Sequence, residues 1–144
     1  MIAVDTNVLV YAHRSDSSRH EPAEAELFRL ADGAEPWAVP VFCLAEFLRV
    51  VTHPRIFGRP SSVEEACGAL RALVATASAR VLSPGPRFPA LFVDSVREAD
   101  ARGNLVFDAQ IAALLREHGV REILSFDRDF ERFPGLRLIV PGAG

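Results

Sequence analysis

Short runs of apolar residues alternate along the chain with longer stretches in which apolar residues recur every three or four positions. A short run of this kind is typical of a buried strand, and the longer spacing is typical of an amphipathic helix. The runs predict strands at residues 2–4, 37–39, 80–82, 122–125 and 136–140. Short apolar strands that alternate with helices indicate a mainly parallel sheet covered on both faces. We therefore expect a three-layer α/β/α sandwich with a central, mainly parallel sheet of about five strands.

The helical spacing covers six stretches of the chain, at residues 8–13, 18–32, 41–52, 60–78, 90–101 and 107–118. Ser18 and Glu21 have the spacing of a capping box at the start of the second stretch. Pro40 suits the first turn of the third helix, and Gly119 is a typical stop for the last. No linker is long enough to separate domains. Residues 1–140 are therefore predicted to form a single domain, and residues 141–144 a frayed tail.

Composition narrows the class of protein. The net charge of -3 argues weakly against nonspecific nucleic-acid binding, although all 16 basic residues are Arg, which binds phosphate well. Two cysteines, Cys43 and Cys67, are too few for a disulfide framework, and we interpret both as reduced thiols in or near the core. No apolar stretch reaches the ~18 residues of a membrane span. We expect a cytoplasmic protein.

Four carboxylates lie in or directly after apolar runs, where an unpaired charge would cost several kcal/mol. They are Asp5, Glu46, Asp108 and Asp127. The carboxyl ends of parallel strands form the ligand crevice of such a sheet. Asp5 and Asp127 each follow a predicted strand, and the other two acids lie in helices expected to begin near the same edge. The sequence therefore predicts that the four carboxylates converge.

Carboxylates that converge at neutral pH repel one another unless a cation neutralises them. Ligands that are all oxygen suit Mg²⁺ or Mn²⁺, whereas Zn²⁺ normally also takes His or Cys, and neither residue adjoins these acids. A hard divalent ion can activate water and polarise a phosphate oxygen. This chemistry is typical of phosphodiester hydrolysis.

Four segments carry a family resemblance, and they occur in the family's order and spacing over essentially the whole chain. They are residues 1–12, 45–47, 107–113 and 125–130. Together they resemble the PIN-domain ribonucleases, and within that family the VapC-type toxins of bacterial toxin-antitoxin pairs. The resemblance implies a Mg²⁺-dependent endoribonuclease that acts on RNA and is held inactive by a cognate VapB-type antitoxin. It also implies a homodimer.

The resemblance assigns roles residue by residue. Asp5, Glu46 and Asp108 match the family's three core acids, and Asp127 matches the fourth, with Asp129 as a second acid that could share this role. The neighbouring polar positions that hold the acids in place match Thr6, Asn7 and Ser125. One departure is Phe107, which stands where relatives often carry a polar residue or His.

Other interpretations of the same residues, which do not involve a metal site, remain open. Asp5 could only cap a helix, Glu46 could pair with Arg49, and Asp108 could only interact with a helix dipole. Asp5 could also be the covalent nucleophile of a phosphoryl-transfer domain, or the fold could be a non-catalytic scaffold that binds a partner. If the protein is a nuclease, the candidates for gripping the RNA backbone are Arg14, Arg49, Arg55 and Arg128.

Overall fold

The computed structural model describes residues 1–143, which form five strands, six α-helices and one short 3-10 helix. The strands are β1 (Ile2–Val4), β2 (Trp37–Pro40), β3 (Ala79–Leu82), β4 (Glu122–Leu124) and β5 (Arg137–Ile139). The helices are α1 (Thr6–His13), α2 (His20–Asp32), α3 (Val41–Val51), α4 (Val63–Val74), α5 (Phe88–Glu98) and α6 (Leu105–Glu117). The 3-10 helix spans Arg128–Arg132 and had no counterpart in the sequence prediction.

The five strands form one sheet in the order β3-β2-β1-β4-β5, and every neighbouring pair is parallel. Strand β1 is central, with Ala3 opposite Ala38 on one side and Ile123 on the other. Parallel crossovers are right-handed, so α1 to α4 lie on one face while α5, α6 and the 3-10 helix lie on the other. The predicted α/β/α sandwich is confirmed.

The starts of two helices test how well local capping signals predict helix boundaries. Helix α4 begins with a capping box, in which the Ser62 hydroxyl accepts the N–H of Glu65 at 3.1 Å. The capping box predicted at Ser18 and Glu21 is wrong. Helix α2 begins at His20 without any side-chain cap, and the His20 ring instead lies 2.8 Å from the carbonyl oxygen of Tyr11. A contact with the preceding helix α1 is therefore made in place of the predicted capping box.

The core surrounds the sheet and includes a buried, hydrogen-bonded tryptophan. Trp37 is fully buried, and its indole N–H donates to the Ser78 hydroxyl at 3.0 Å, which in turn donates to the carbonyl of Leu30. Cys43 is buried as expected, whereas Cys67 is exposed, so its prediction as a core or near-core thiol is wrong. Among residues 1–143, no helix is both long and apolar enough to cross a bilayer.

The predicted tail is described up to Ala143. Pro141 is buried, Gly142 has a φ of 76°, and the N–H of Ala143 donates to the carbonyl of Val140 at 3.2 Å. This turn packs beside α2, since a side chain at Gly142 would come 3.0 Å from Pro22. Gly144, the last residue of the predicted tail, lies outside the described residues.

Candidate metal centre

A cleft of about 340 Å³ opens at the carboxyl edge of the sheet, beyond the ends of β1 and β4. We call it the acidic cleft because five carboxylates line it and one residue, Arg49, is its only basic lining residue in the described part of the chain. Its lining consists of Asp5, Thr6, Asn7, Glu46, Arg49, Asn104, Leu105, Phe107, Asp108, Ile111, Asp127 and Asp129. The four acids predicted from sequence therefore converge, and Asp129 joins them.

Asp5 occupies the floor of the acidic cleft and is only 7% exposed. Its Oδ1 accepts the N–H of Thr6 at 2.8 Å, so it does cap α1, and its Oδ2 accepts the hydroxyl of Ser125 at 2.7 Å. Burial raises the pKa of Asp5 to about 6, against the effect of these two hydrogen bonds. These two hydrogen bonds hold the carboxylate of Asp5 in one orientation at the cleft.

The hydroxyl of Ser125 connects three parts of the site and is fully buried. Besides donating to Asp5, it accepts the side-chain N–H of Asn7 at 3.2 Å and the backbone N–H of Asp127 at 3.0 Å. The amide oxygen of Asn7 accepts the N–H of Phe126 at 3.2 Å. This network sets the orientation of Asp5 and positions the chain that carries Asp127.

One further contact holds Glu46 at the cleft. The Thr6 hydroxyl donates to Oε2 of Glu46 at 3.3 Å, which links α1 to α3 at the cleft. The alternative partner of Glu46 was Arg49, and among residues 1–143 these two side chains form no ion pair within 4.0 Å. Thr6 and Ser125 therefore contact cleft acids directly, whereas Asn7 contacts Ser125.

Asp108 lies half-buried in the first turn of α6 and faces the acids that follow β4. Single carboxylate oxygens of Asp108, Asp127 and Asp129 lie within 4.8 Å of one another. Burial is the largest cause, and the charges of Asp127, Asp5, Asp129 and Glu46 add to it in that order, so that together they raise the pKa of Asp108 to about 7. Folding therefore brings these acids close enough to repel one another.

Asp127 and Asp129 were alternatives for one role in the sequence, but both line the cleft. The Oδ1 atom of Asp127 accepts the N–H of Asp129 at 2.9 Å and so begins the 3-10 helix. That short helix turns the second carboxylate back toward Asp108. The side chain of Asp127 is half-buried and that of Asp129 is exposed.

The ligand chemistry of the acidic cleft fits a hard divalent cation. Its polar side chains are carboxylates, amides, one hydroxyl and one guanidinium, and no imidazole or thiol lines it in the described residues. Oxygen ligands of this kind suit Mg²⁺ or Mn²⁺. Burial and, to a smaller extent, the neighbouring acids raise the pKa values of Asp5 and Asp108, and a bound cation would offset both effects.

The four arginines predicted to grip RNA lie in different places. Only Arg49, which is exposed on α3, lines the acidic cleft. Arg14 is 8% exposed, and its guanidinium pairs with both carboxylate oxygens of Asp16, at 3.0 and 2.7 Å. Arg55 is exposed outside the cleft, and Arg128 pairs with Glu131 at 3.1 Å on the surface. The structure therefore does not bring Arg14, Arg55 and Arg128 to the cleft lining.

Sequence reasoning missed three lining residues, Asn104, Leu105 and Ile111. Asn104 precedes α6, and Ile111 follows Phe107 by one helical turn on the same face. The helical spacing from Asp108 was the only available signal for Ile111. No local sequence signal identifies Asn104 as a lining residue, because its position depends on how α5 and α6 pack together.

Comparison with known proteins agrees with this architecture. Residues 2–136 match the PIN domain family. Ribonuclease VapC43 of Mycobacterium tuberculosis is 44% identical over 137 residues, which cover 95% of this chain and 92% of that protein. Ribonuclease VapC25 of the same species is 39% identical over 141 residues, covering 98% and 99%. The chain therefore belongs to the PIN-domain family, and within it to the VapC type, as the four sequence segments indicated.

Solved structures show the same fold at lower sequence identity. VapBC2 from Rickettsia felis, bound to a DNA fragment from its promoter, gives a TM-score of 0.72 at 19% identity and covers 98% of this chain and 99% of that one. VapC20 of Mycobacterium tuberculosis, a toxin that cleaves the sarcin-ricin loop, gives a TM-score of 0.69 at 21% identity and covers 95% of this chain and 99% of that one.

Proposed function

We propose that this protein is an endoribonuclease that hydrolyses RNA phosphodiester bonds with Mg²⁺ or Mn²⁺, and that it is the toxin of a toxin-antitoxin pair. Membership of the VapC type supports ribonuclease activity. The observation that carries the metal dependence is the convergence of Asp5, Glu46, Asp108, Asp127 and Asp129 in one cleft, with the pKa of Asp108 raised to about 7. An inert binding scaffold has no use for such a destabilising cluster.

Asp5, Glu46 and Asp108 would hold the cation, with Asp127 completing the set and Asp129 beside it. When bound, the ion supplies charge neutralisation, an activated water and polarisation of a phosphate oxygen. The Ser125 hydroxyl keeps Oδ2 of Asp5 in one orientation, and the Thr6 hydroxyl does the same for Oε2 of Glu46.

Substrate entry needs positive charge beside the acids. Arg49 lines the acidic cleft and is exposed, and we therefore expect its guanidinium to contact a phosphate of the RNA backbone. Such a contact makes binding salt-dependent. Water attack requires no 2′-hydroxyl, so the products should carry 5′-phosphate and 3′-hydroxyl ends.

The biological setting follows from the same proposal. A cognate VapB-type antitoxin would hold the nuclease inactive, the nuclease would be a homodimer, and both proteins would act in the cytoplasm. Growth arrest when the chain is expressed without its antitoxin, and recovery when the antitoxin is co-expressed, would support the toxin assignment. Normal growth with active nuclease present would refute it.

The central experiment incubates the purified protein, free of antitoxin, with total cellular RNA in Mg²⁺ or in EDTA. Asp5→Asn and Asp108→Asn are compared with the matched control Asp94→Asn, whose side chain is exposed on α5 away from the acidic cleft. We expect cleavage by the wild type and the control in Mg²⁺ only. Cleavage that survives EDTA or either cleft substitution would refute the metal mechanism.

A further inference from the structure

A second pocket, of about 690 Å³, opens beside the acidic cleft between α3 and α6, and we call it the apolar pocket. Its lining residues are Val41, Phe42, Ala45, Glu46, Arg49, Phe107, Gln110 and Ile111. On each helix they are spaced by three or four positions and so share one face. Helix α3 begins directly after β2, which places the apolar pocket at the same edge of the sheet as the acidic cleft.

The two sites are continuous. Glu46, Arg49, Phe107 and Ile111 line both the acidic cleft and the apolar pocket. A group held among the acids therefore lies directly beside an apolar surface. In a nucleotide, one sugar separates the phosphate from its base, so a phosphodiester in the acidic cleft brings a base to this surface.

Phe107 stands at the junction and is 63% exposed. It precedes Asp108 in the first turn of α6, and within residues 1–143 its ring packs against no other aromatic ring. An exposed aromatic side chain in a concave, mostly apolar site is typical of a recognition surface. The side chain of Phe107 is thus largely accessible to a ligand.

We propose that Phe107 stacks on the unpaired nucleobase next to the cleaved phosphodiester, and that the apolar pocket is the binding site for that base. This inference rests on the proposed ribonuclease function. Aromatic side chains recognise unstacked RNA bases in this way. Arg49 then contacts the adjacent phosphate, and the amide of Gln110 offers both a donor and an acceptor to the edge of the base.

The alternative occupant is an apolar side chain of a protein partner. The base is favoured because the pocket is continuous with the acids that would hold the phosphate, and because Gln110 and Arg49 add polar groups that an aliphatic side chain leaves without partners. A protein partner is nevertheless a measurable outcome of the test.

The test uses an RNA oligonucleotide that spans a cleavage site mapped in total RNA, and compares Phe107→Leu with Phe107→Tyr. Leucine keeps the apolar character and tyrosine keeps the ring. We expect Phe107→Leu to lower kcat/KM about tenfold, a factor in the range of one base stack, and Phe107→Tyr to remain within about twofold of the wild type.

Abasic substitutions in the oligonucleotide, placed separately on each side of the cleaved bond, identify the base. One of them should lower kcat/KM of the wild type about tenfold and have little further effect on Phe107→Leu, because the two changes remove the same contact. Phe28→Leu is the matched control, since Phe28 is 72% exposed on α2. Titration with MgCl₂ should give equal Mg²⁺ affinity for wild type and Phe107→Leu.

Four results would overturn the inference. Equal RNA kinetics for Phe107→Leu and wild type would do so while leaving the proposed function intact, as would equal abasic penalties in both proteins. Unchanged RNA kinetics together with weakened inhibition by the cognate antitoxin would assign the pocket to the protein partner. If the wild type cleaves no RNA in Mg²⁺, the proposed function fails and the inference falls with it.

Discussion

Asp108→Asn is predicted to stabilise the metal-free protein while abolishing its activity. The carboxylate of Asp108 is half-buried and faces the charges of Asp127, Asp5, Asp129 and Glu46. Asparagine has nearly the same shape and carries no charge, so it relieves the repulsion and the desolvation cost together. Gain of stability with loss of function is the behaviour of a residue whose charge serves a ligand.

The size of the effect follows from the pKa of Asp108, which rises from 3.8 to about 7. Three pKa units correspond to about 4 kcal/mol at 1.36 kcal/mol each. The side chain is only partly buried, and solvent screening reduces this to about 2 kcal/mol. For a domain of this size, that free energy shifts the Tm by about 4 to 8 °C.

The pH dependence of stability shows where Asp108→Asn should be more stable than the wild type. A carboxyl whose folded pKa lies above its unfolded value contributes stability that is present below pH ~4 and is lost as the pH rises toward ~7. In EDTA, thermal unfolding should therefore show Asp108→Asn more stable than the wild type at pH 8. The two proteins should differ little at pH 4.

The same measurement with MgCl₂ provides the second half of the test. Mg²⁺ should raise the Tm of the wild type and of the control Asp94→Asn, and have a much smaller effect on Asp108→Asn. If Asp108→Asn is less stable than the wild type in EDTA at pH 8, the acids do not repel one another as the cleft geometry requires. The reasoning from pKa to stability would then be wrong.

Three further substitutions test the surrounding structure. Ser125→Ala should lower the free energy of unfolding in urea by about 1 to 3 kcal/mol. It also removes a hydrogen bond that lowers the pKa of Asp5, so calorimetry should show Mg²⁺ binding weakened more at pH 6 than at pH 8. Trp37→Phe should cost about 2 kcal/mol in urea unfolding, because the buried hydroxyl of Ser78 loses its donor. Arg14→Ala should lower the unfolding free energy by about 1 to 2 kcal/mol and change RNA affinity less than twofold, since its guanidinium pairs within the protein and does not line the cleft.

Each of these predictions has a control and a contrary result. Ser18→Ala alters an exposed hydroxyl and should change neither stability nor Mg²⁺ binding, whereas a pH-independent effect of Ser125→Ala would contradict the assigned contact. Unchanged stability of the Trp37 variant would show that its hydrogen bond has no net value. Arg128→Ala is the control for Arg14, and a large loss of RNA affinity in Arg14→Ala alone would place that residue at the substrate.

The order of strands and helices was largely readable from the sequence. Apolar runs and helical spacing act over a few neighbouring residues, so β1 was predicted at its observed bounds and α3 within one residue of them. The convergence of the acids was also predicted from the sequence. Asp5 directly follows β1 and Asp127 comes soon after β4, and parallel neighbouring strands end at one edge.

The tertiary structure alone decided how the side chains in and around that edge are arranged. Ser125 reaches Asp5 across 120 positions of the chain, Asp129 enters the cleft through an unpredicted 3-10 helix, and Arg14 pairs with Asp16 away from the cleft lining. Such contacts depend on side-chain directions set by long-range packing. The sequence by itself therefore determined which carboxylates share the edge, and only the folded chain decided which neighbours orient them and which aromatic ring lies exposed beside them.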